Sequence, residues 1–190
     1  MANEDKIKWD KKYTNNPQLL EERSPSKKLE SVIELTSGKK ALDIACGSGK
    51  NSIYLAKNGF NIDAYDISQI ALDTLNSRGY NTINTKLIDL DSFTPELNNY
   101  DLIVQTNFLD RELIPKLLKS LKENGLLFIE TYMDHPSNTK PNSNPTFLLQ
   151  KDELKFFVAN GFKLIDYDEF DNDPIELYRM KKQSIIIQKC

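Results

Sequence analysis

Two carboxylates and two glycines at fixed spacing carry the strongest chemical signal in this chain. The run Ala41-Leu42-Asp43-Ile44-Ala45-Cys46 leads into Gly47-Ser48-Gly49, and a helical pattern follows from Asn51. A second apolar run, Ile62 to Tyr65, stops at Asp66. A strand, a glycine turn, a helix and a second strand ending in an acid form a unit that holds a nucleoside. The ligand meets bare backbone at the glycines, and the acid accepts from two ribose hydroxyls. A nicotinamide dinucleotide would want a third glycine, so that the helix packs close and its first turn meets a pyrophosphate. Asn51 and Ser52 follow instead, and Asp43 would repel a pyrophosphate while suiting an ammonium. The rival reading is a structural turn in some other α/β protein.

Other side chains with chemical reach stand where later apolar runs end. Asp89-Leu90-Asp91 closes the third, Asn107-Phe108-Leu109-Asp110-Arg111 follows the fourth, and Glu130-Thr131-Tyr132 closes the fifth. The guanidinium fork of Arg111 matches carboxylates and oxyanions, so it is a candidate for holding an anionic substrate group; an exposed arginine at a helix start is the plain alternative. His135 is the only histidine and a candidate general base, set against an ordinary exposed loop histidine. Trp9 is the only tryptophan, and an aromatic face beside a cation gains cation–π energy. The two cysteines, Cys46 in the turn and Cys190 at the end, fit neither a metal site nor a disulfide framework.

These groups need elements to position them. Residues 1–37 are expected to form an N-terminal helical arm, in which the apolar spacing of Leu29, Val32 and Ile33 predicts a helix over 30–35, stopped by Gly38. Strands are expected at 40–46, 61–66, 83–90, 100–105 and 126–132. Between them fall helices at 51–58, closed by Gly59, and at 68–77, with Ser68 as N-cap and Gly79 beyond the end. A further helix spans 109–123; Pro115 is tolerable only in a first turn, so the helix proper begins near Ile114. Residues 133–150, with Pro136, Pro141 and Pro145, break the rhythm and read as a long functional loop, a candidate lid. A helix at 151–160 and strands at 162–170 and 184–189 follow. The β-α repetition implies a parallel sheet with right-handed crossovers and a ligand at the carboxyl ends of its strands. With 190 residues, the chain is expected to be one domain over 1–190.

A charged fraction of 28% beside 39% hydrophobic residues reads as globular, and the net charge of −3, with only short pairs such as Lys27-Lys28, disfavours a nucleic-acid partner. The stretch from Met1 to Tyr13 lacks the apolar core of a signal peptide, and no run approaches the ~20 apolar residues of a membrane span. A cytoplasmic location is the simplest expectation.

The glycine turn with Asp43 and Asp66 resembles motif I of the class I S-adenosylmethionine-dependent methyltransferases. Trp9-Asp10-Lys11-Lys12-Tyr13 resembles the N-terminal arm of many small-molecule members, and the stretch from Asn107 to Tyr132, followed by Asn144-Pro145-Thr146-Phe147-Leu148-Leu149, looks like a bacterial subgroup grouped with tellurite-resistance and thiopurine enzymes. The resemblance runs from Trp9 to Gln188. It implies a Rossmann-like seven-stranded, mostly parallel sheet with an antiparallel C-terminal strand pair and helices on both faces. It implies S-adenosylmethionine as cofactor, with Asp66 and Ile67 at the ribose, Asp43, Ala45, Cys46 and Gly47 along the methionine part, Asp89 and Leu90 at the adenine, and Asn107 near the methyl; Asp91 is the alternative adenine acid. Trp9 and Tyr13 would fold over the cofactor, and Arg111, Glu130, Tyr132, His135 and Phe147 would border the acceptor. The reaction would be in-line displacement onto a small molecule. Glu130, His135 and Arg111 are the catalytic candidates, and a soft nucleophile would need no base. The amino-directed Asn/Asp-Pro-Pro-aromatic motif is absent after the fourth strand, which argues against adenine or glutamine amide acceptors. Two rivals stand beside this: a cofactor-binding regulator without acceptor chemistry, and a nicotinamide-dependent reductase, disfavoured by the missing glycine.

Overall fold

The computed structural model describes the chain from Ala2 to Cys190, with side chains from Glu4 onward; Met1, counted in the expected arm, lies outside the described residues. Seven strands form one sheet in the order β3-β2-β1-β4-β5-β7-β6. They are β1 (Lys40–Ile44), β2 (Asn61–Asp66), β3 (Ile83–Leu87), β4 (Tyr100–Thr106), β5 (Leu121–Tyr132), β6 (Phe162–Asp171) and β7 (Lys181–Lys189). All neighbouring pairs from β3 to β5 are parallel, and β7 runs antiparallel to both β5 and β6. Chain order reverses at β1 and β4, the place where an open parallel sheet leaves a crevice at its strand ends.

Side-chain alternation along the strands divides the core into two layers. Leu42, Ile103 and Leu127 face a cluster with Leu117 of helix α5 (Ile114–Ser120). Ala41, Leu102 and Phe128 face the opposite cluster, with Val32 of α2 (Leu29–Leu35), Ile53 of α3 (Lys50–Lys57) and Leu72 of α4 (Gln69–Ser77). Helices therefore cover both faces. The N-terminal α1 (Ala2–Asn15) packs chiefly on α4. Ser68 caps α4 by accepting from Ala71 N at 3.3 Å, and Pro115 sits in the first turn of α5.

Several boundaries differ from the sequence reading, each for a local reason. β1 ends at Ile44 because Ala45 turns to φ 53°. β3 ends at Leu87, where Asp89 caps a short 3-10 turn, Leu90–Ser92. β5 starts five residues early, at Leu121, through a register shift at Tyr100/Leu102 that carries Asn124 at φ 61°. The helix expected at 151–160 is only a 3-10 segment, Glu153–Phe157, entered from Asp152 at φ 60°. In the N-terminal arm, expected to be helical over 1–37, α1 takes Ala2–Asn15 and α2 takes Leu29–Leu35. Among the described residues, no helix is long and apolar enough to cross a membrane.

The 133–150 segment is fastened. Met133 and Leu149 form a parallel bridge, Asp134 N donates to Leu149 O at 2.8 Å, and Asn138 Nδ2 donates to Met133 O at 2.8 Å.

Gly49 holds the glycine turn against α4. Its φ is 84°, and a Cβ there would lie 2.3 Å from Leu75 Cδ1. Gly49→Ala should cost about 1–3 kcal/mol in urea unfolding. Combined with Leu75→Ala, it should cost less than the sum of the single losses, because the space is then open. Full additivity would place the strain elsewhere.

Candidate functional site

The turn after β1 is built from three left-handed residues, Ala45 at φ 53°, Gly47 at 56° and Gly49 at 84°. Cys46 N donates to Tyr65 O at 3.1 Å, which ties the turn to β2. The carboxylate of Asp66 completes the tie: Gly47 N donates to Oδ2 at 2.7 Å and Ser68 N to Oδ1 at 2.9 Å. Burial raises the Asp66 carboxyl above its usual range, opposed by these backbone donors. Each oxygen keeps a second lone-pair position, so the group can still accept from two hydroxyls. Beneath the turn, Ser52 Oγ donates to Asp43 Oδ2 at 2.6 Å, and burial pushes the Asp43 carboxyl up to about 7.

The other expected cofactor residues gather along the same strand ends. Ile67 follows Asp66 and is half-buried, and Ile88 N donates to Asp66 O at 2.9 Å, which sets Asp89 next to Asp66. Asp89 is half-buried, Leu90 buried and Asp91 exposed; Asp89 accepts from Asp91 N at 3.1 Å. Asn107 takes φ 56° and exposes its side chain, while its N–H donates to Glu130 O at 2.8 Å.

The arm closes over this place. Asp10 Oδ1 accepts from Ser68 Oγ at 2.6 Å, latching α1 to the start of α4. Tyr13 is 7% exposed, and a Cβ on Gly47 would lie 2.9 Å from its hydroxyl. Burial first, and then the charge of Asp66, raise the Tyr13 phenol. Trp9 is half-buried, and its ring carries Lys12 Nζ at 4.1 Å. Beyond α1 the arm is pinned twice more: Ser48 Oγ donates to Leu19 O at 3.3 Å, and Ser26 N donates to Asn51 Oδ1 at 3.1 Å.

On the acceptor side three of the expected residues have partners within the fold. Glu130 is buried in an ion pair with Lys182 at 2.9 Å, the two side chains only 7% and 6% exposed, and its other oxygen accepts from Ser26 Oγ. Both of its oxygens are engaged within the fold. His135 Nδ1 accepts from Ser137 N at 3.1 Å and lies 2.7 Å from Ser137 Oγ, so this ring nitrogen is engaged within its own loop. Arg111 is a brace. Its fork holds Glu153, and its Nη1 and Nη2 donate to Thr146 O at 2.7 Å and Leu148 O at 2.9 Å. Tyr132 donates to Glu176 Oε2 at 2.9 Å under the Lys182 ammonium, and Phe147 lies exposed on the braced loop. Sequence reasoning missed Asp10, Ser26, Asn51 and Lys182, which find one another only across the fold.

Asp43 gives the site a pH signature. Its folded value of about 7 lies above its ordinary 3.8, so the folded protein keeps a proton that the unfolded chain releases. The stability it contributes is complete below its ordinary value and is lost as pH rises toward 7. Asp43→Asn should flatten the fall in unfolding free energy across this window in urea titrations at stepped pH. An unchanged slope would mean that Asp43 is ionised in the fold.

The family model described as "Tellurite resistance protein TehB" matches residues 6–187. A probable S-adenosyl-L-methionine-dependent methyltransferase TehB of Haemophilus influenzae is 34% identical over 141 residues, covering 68% of this chain and 48% of that protein. The crystal structure of TehB from Haemophilus influenzae superposes with a TM-score of 0.69 at 25% identity, covering 85% of this chain and 61% of that one. The fold also matches a SAM-dependent methyltransferase structure from Methanosarcina mazei, with a TM-score of 0.66 at 19% identity, covering 83% of this chain and 96% of that one. The chain spans about half the length of the curated TehB relatives it matches. By the match over 6–187, it belongs to the TehB tellurite resistance protein family.

Proposed function

We propose that the chain is one methyltransferase domain over 1–190, that it binds S-adenosylmethionine at the carboxyl ends of β1 to β4, and that it moves the methyl group to a small-molecule acceptor. The observation that carries this reading is the Asp66 carboxylate, fixed by Gly47 N and Ser68 N with acceptor positions still free beside a turn that has no side chain at Gly47. When bound, the cofactor supplies an electrophilic methyl on a sulfonium. The protein's part is to hold and shield. Asp66 accepts from the ribose hydroxyls, Asp89 takes the adenine amino group, Leu90 N meets a ring nitrogen, and the buried Asp43 faces the amino-acid end. The arm, with Tyr13 against Gly47, excludes water, and a dry, aligned cleft accelerates displacement.

The engaged states of Glu130 and His135 favour an acceptor that arrives already nucleophilic, such as sulfur, selenium or tellurium, over one that needs a base. The 133–150 segment, braced by Arg111, serves as a wall rather than a closing lid. A second reading has one observation in its favour: with Tyr13 on Gly47 and both candidate bases taken, the fold would also suit a cofactor-binding partner protein without acceptor chemistry.

Calorimetric titration should give micromolar binding of S-adenosylmethionine and S-adenosylhomocysteine and none of NADH, and Asp66→Ala should weaken binding by about 1–3 kcal/mol. Binding of neither sulfur ligand by folded protein would overturn the cofactor assignment. Tight binding with no methyl loss toward thiol, selenite or tellurite acceptors would favour the partner reading.

A further inference from the structure

Resting on the methyltransferase reading above, we propose that Gln105 is a positioning residue, whose buried carboxamide sets the left-handed turn that presents Asn107 at the crevice between β1 and β4. Leu102-Ile103-Val104 is an apolar run, and Gln105 interrupts it one residue before the strand ends. In the parallel register Gln105 lies between Ile44 of β1 and Ile129 of β5, both fully buried in one apolar cluster. Gln105 is itself 0% exposed. Its carboxamide makes one bond, from Nε2 to Phe108 O at 3.2 Å, and among the described residues the buried Oε1 has no partner. An unpaired buried amide oxygen is destabilising, whereas an apolar side chain of similar volume would pack there without that cost. What the amide contributes is therefore the tie to Phe108.

Asn107 stands between the two bonded residues, at φ 56° with its side chain exposed. A left-handed residue with a side chain persists where its surroundings over-determine it. Three ties do so here. Gln105 holds Phe108 O from one face of the sheet. On the other face, since side chains alternate along a strand, Thr106 Oγ1 accepts from Asn51 Nδ2 at 2.8 Å. Asn107 N donates to Glu130 O at 2.8 Å, across to β5. The last two act on Asn107 and the residue before it, and they survive without Gln105. Only the Gln105 bond fixes the residue after it. Farther on, Asp110 Oδ1 accepts from Glu112 N at 2.8 Å and Leu113 N at 3.2 Å, which anchors the chain ahead of α5. Chain order reverses at β1 and β4, so this turn borders the crevice in which the transfer is proposed to occur.

The test replaces the carboxamide by an unbranched apolar chain of similar size, Gln105→Met. The urea unfolding midpoint should stay the same or rise, because the unpaired oxygen is gone. Amide hydrogen exchange over residues 107–109 should speed up about tenfold, with the rest of β4 unchanged. Methyl transfer from S-adenosylmethionine to 2-mercaptoethanol, selenite or tellurite, whichever the unaltered protein accepts, should lose roughly ten- to a hundred-fold in kcat, with S-adenosylhomocysteine affinity kept within about twofold. Gln105→Glu keeps the shape and can donate to Phe108 O only while its carboxyl is protonated, so its kcat relative to the unaltered protein should recover as pH falls. Unchanged kcat in Gln105→Met, or a kcat loss without faster exchange over 107–109, would make Gln105 a packing residue only and overturn the proposal. Transfer to none of the three acceptors by the unaltered protein would remove the methyltransferase reading and the role with it, and the exchange measurement would still report whether Gln105 holds the turn.

Discussion

Everything at the candidate site depends on one carboxylate that bonds two turns at once. Asp66 stands at the end of β2, accepts from Gly47 N in the turn after β1, and accepts from Ser68 N at the start of α4. It helps hold three left-handed residues at alternate positions, 45, 47 and 49, since such conformations persist only where surroundings over-determine them. Charged acceptors of backbone N–H groups make the stronger class of hydrogen bond, and burial strengthens them further. The same group therefore shapes the cradle and offers the remaining lone pairs to a ligand. Its neighbour Ser68 passes the constraint onward, capping α4 with its hydroxyl oxygen while donating to Asp10 of the arm.

A second polar knot ties the rest together. Ser26, Asn51, Thr106, Glu130 and Lys182 come from the arm, α3, β4, β5 and β7, and all are buried. Asn51 Nδ2 donates to Thr106 Oγ1 at 2.8 Å, and the Glu130–Lys182 pair spans the antiparallel junction of β5 and β7. Breaking one partner of a buried pair costs far more than the intact pair contributes, so such a knot fixes geometry more than it adds stability. Here it fixes the arm onto the glycine turn. Glu130, one of the expected acid–base candidates, is engaged in this framework.

The glycine turn was legible from residue order because its signals are local. The turn, Asp43 and Asp66 fall within one strand-turn-helix-strand unit, Ser68 follows directly, and the fold joins Gly47 and Ser68 to the Asp66 carboxylate. The sheet was legible for the same reason, since apolar runs bounded by glycines repeat through the parallel part. What could not be read depends on contacts distant in sequence. Ser26 meets Glu130 across 104 residues, and Arg111 reaches the carbonyls of 146 and 148. Free-looking functional groups in a sequence become structural ones when the fold supplies a partner. The 151–160 segment failed differently: its composition suits a helix, yet Leu154 must enter the core beside Gln183, and Asp152 at φ 60° turns the chain to allow it.

The central claim is that a sulfonium nucleoside lies between the glycine turn and the arm, with its ribose on Asp66. A crystal structure of the protein with S-adenosylhomocysteine tests this most directly. The account predicts ribose hydroxyls within hydrogen-bond distance of both Asp66 oxygens and the Tyr13 hydroxyl displaced from, or bonded to the ligand beside, Gly47. A ligand bound elsewhere on the sheet, with Asp66 still held only by Gly47 and Ser68, would contradict it.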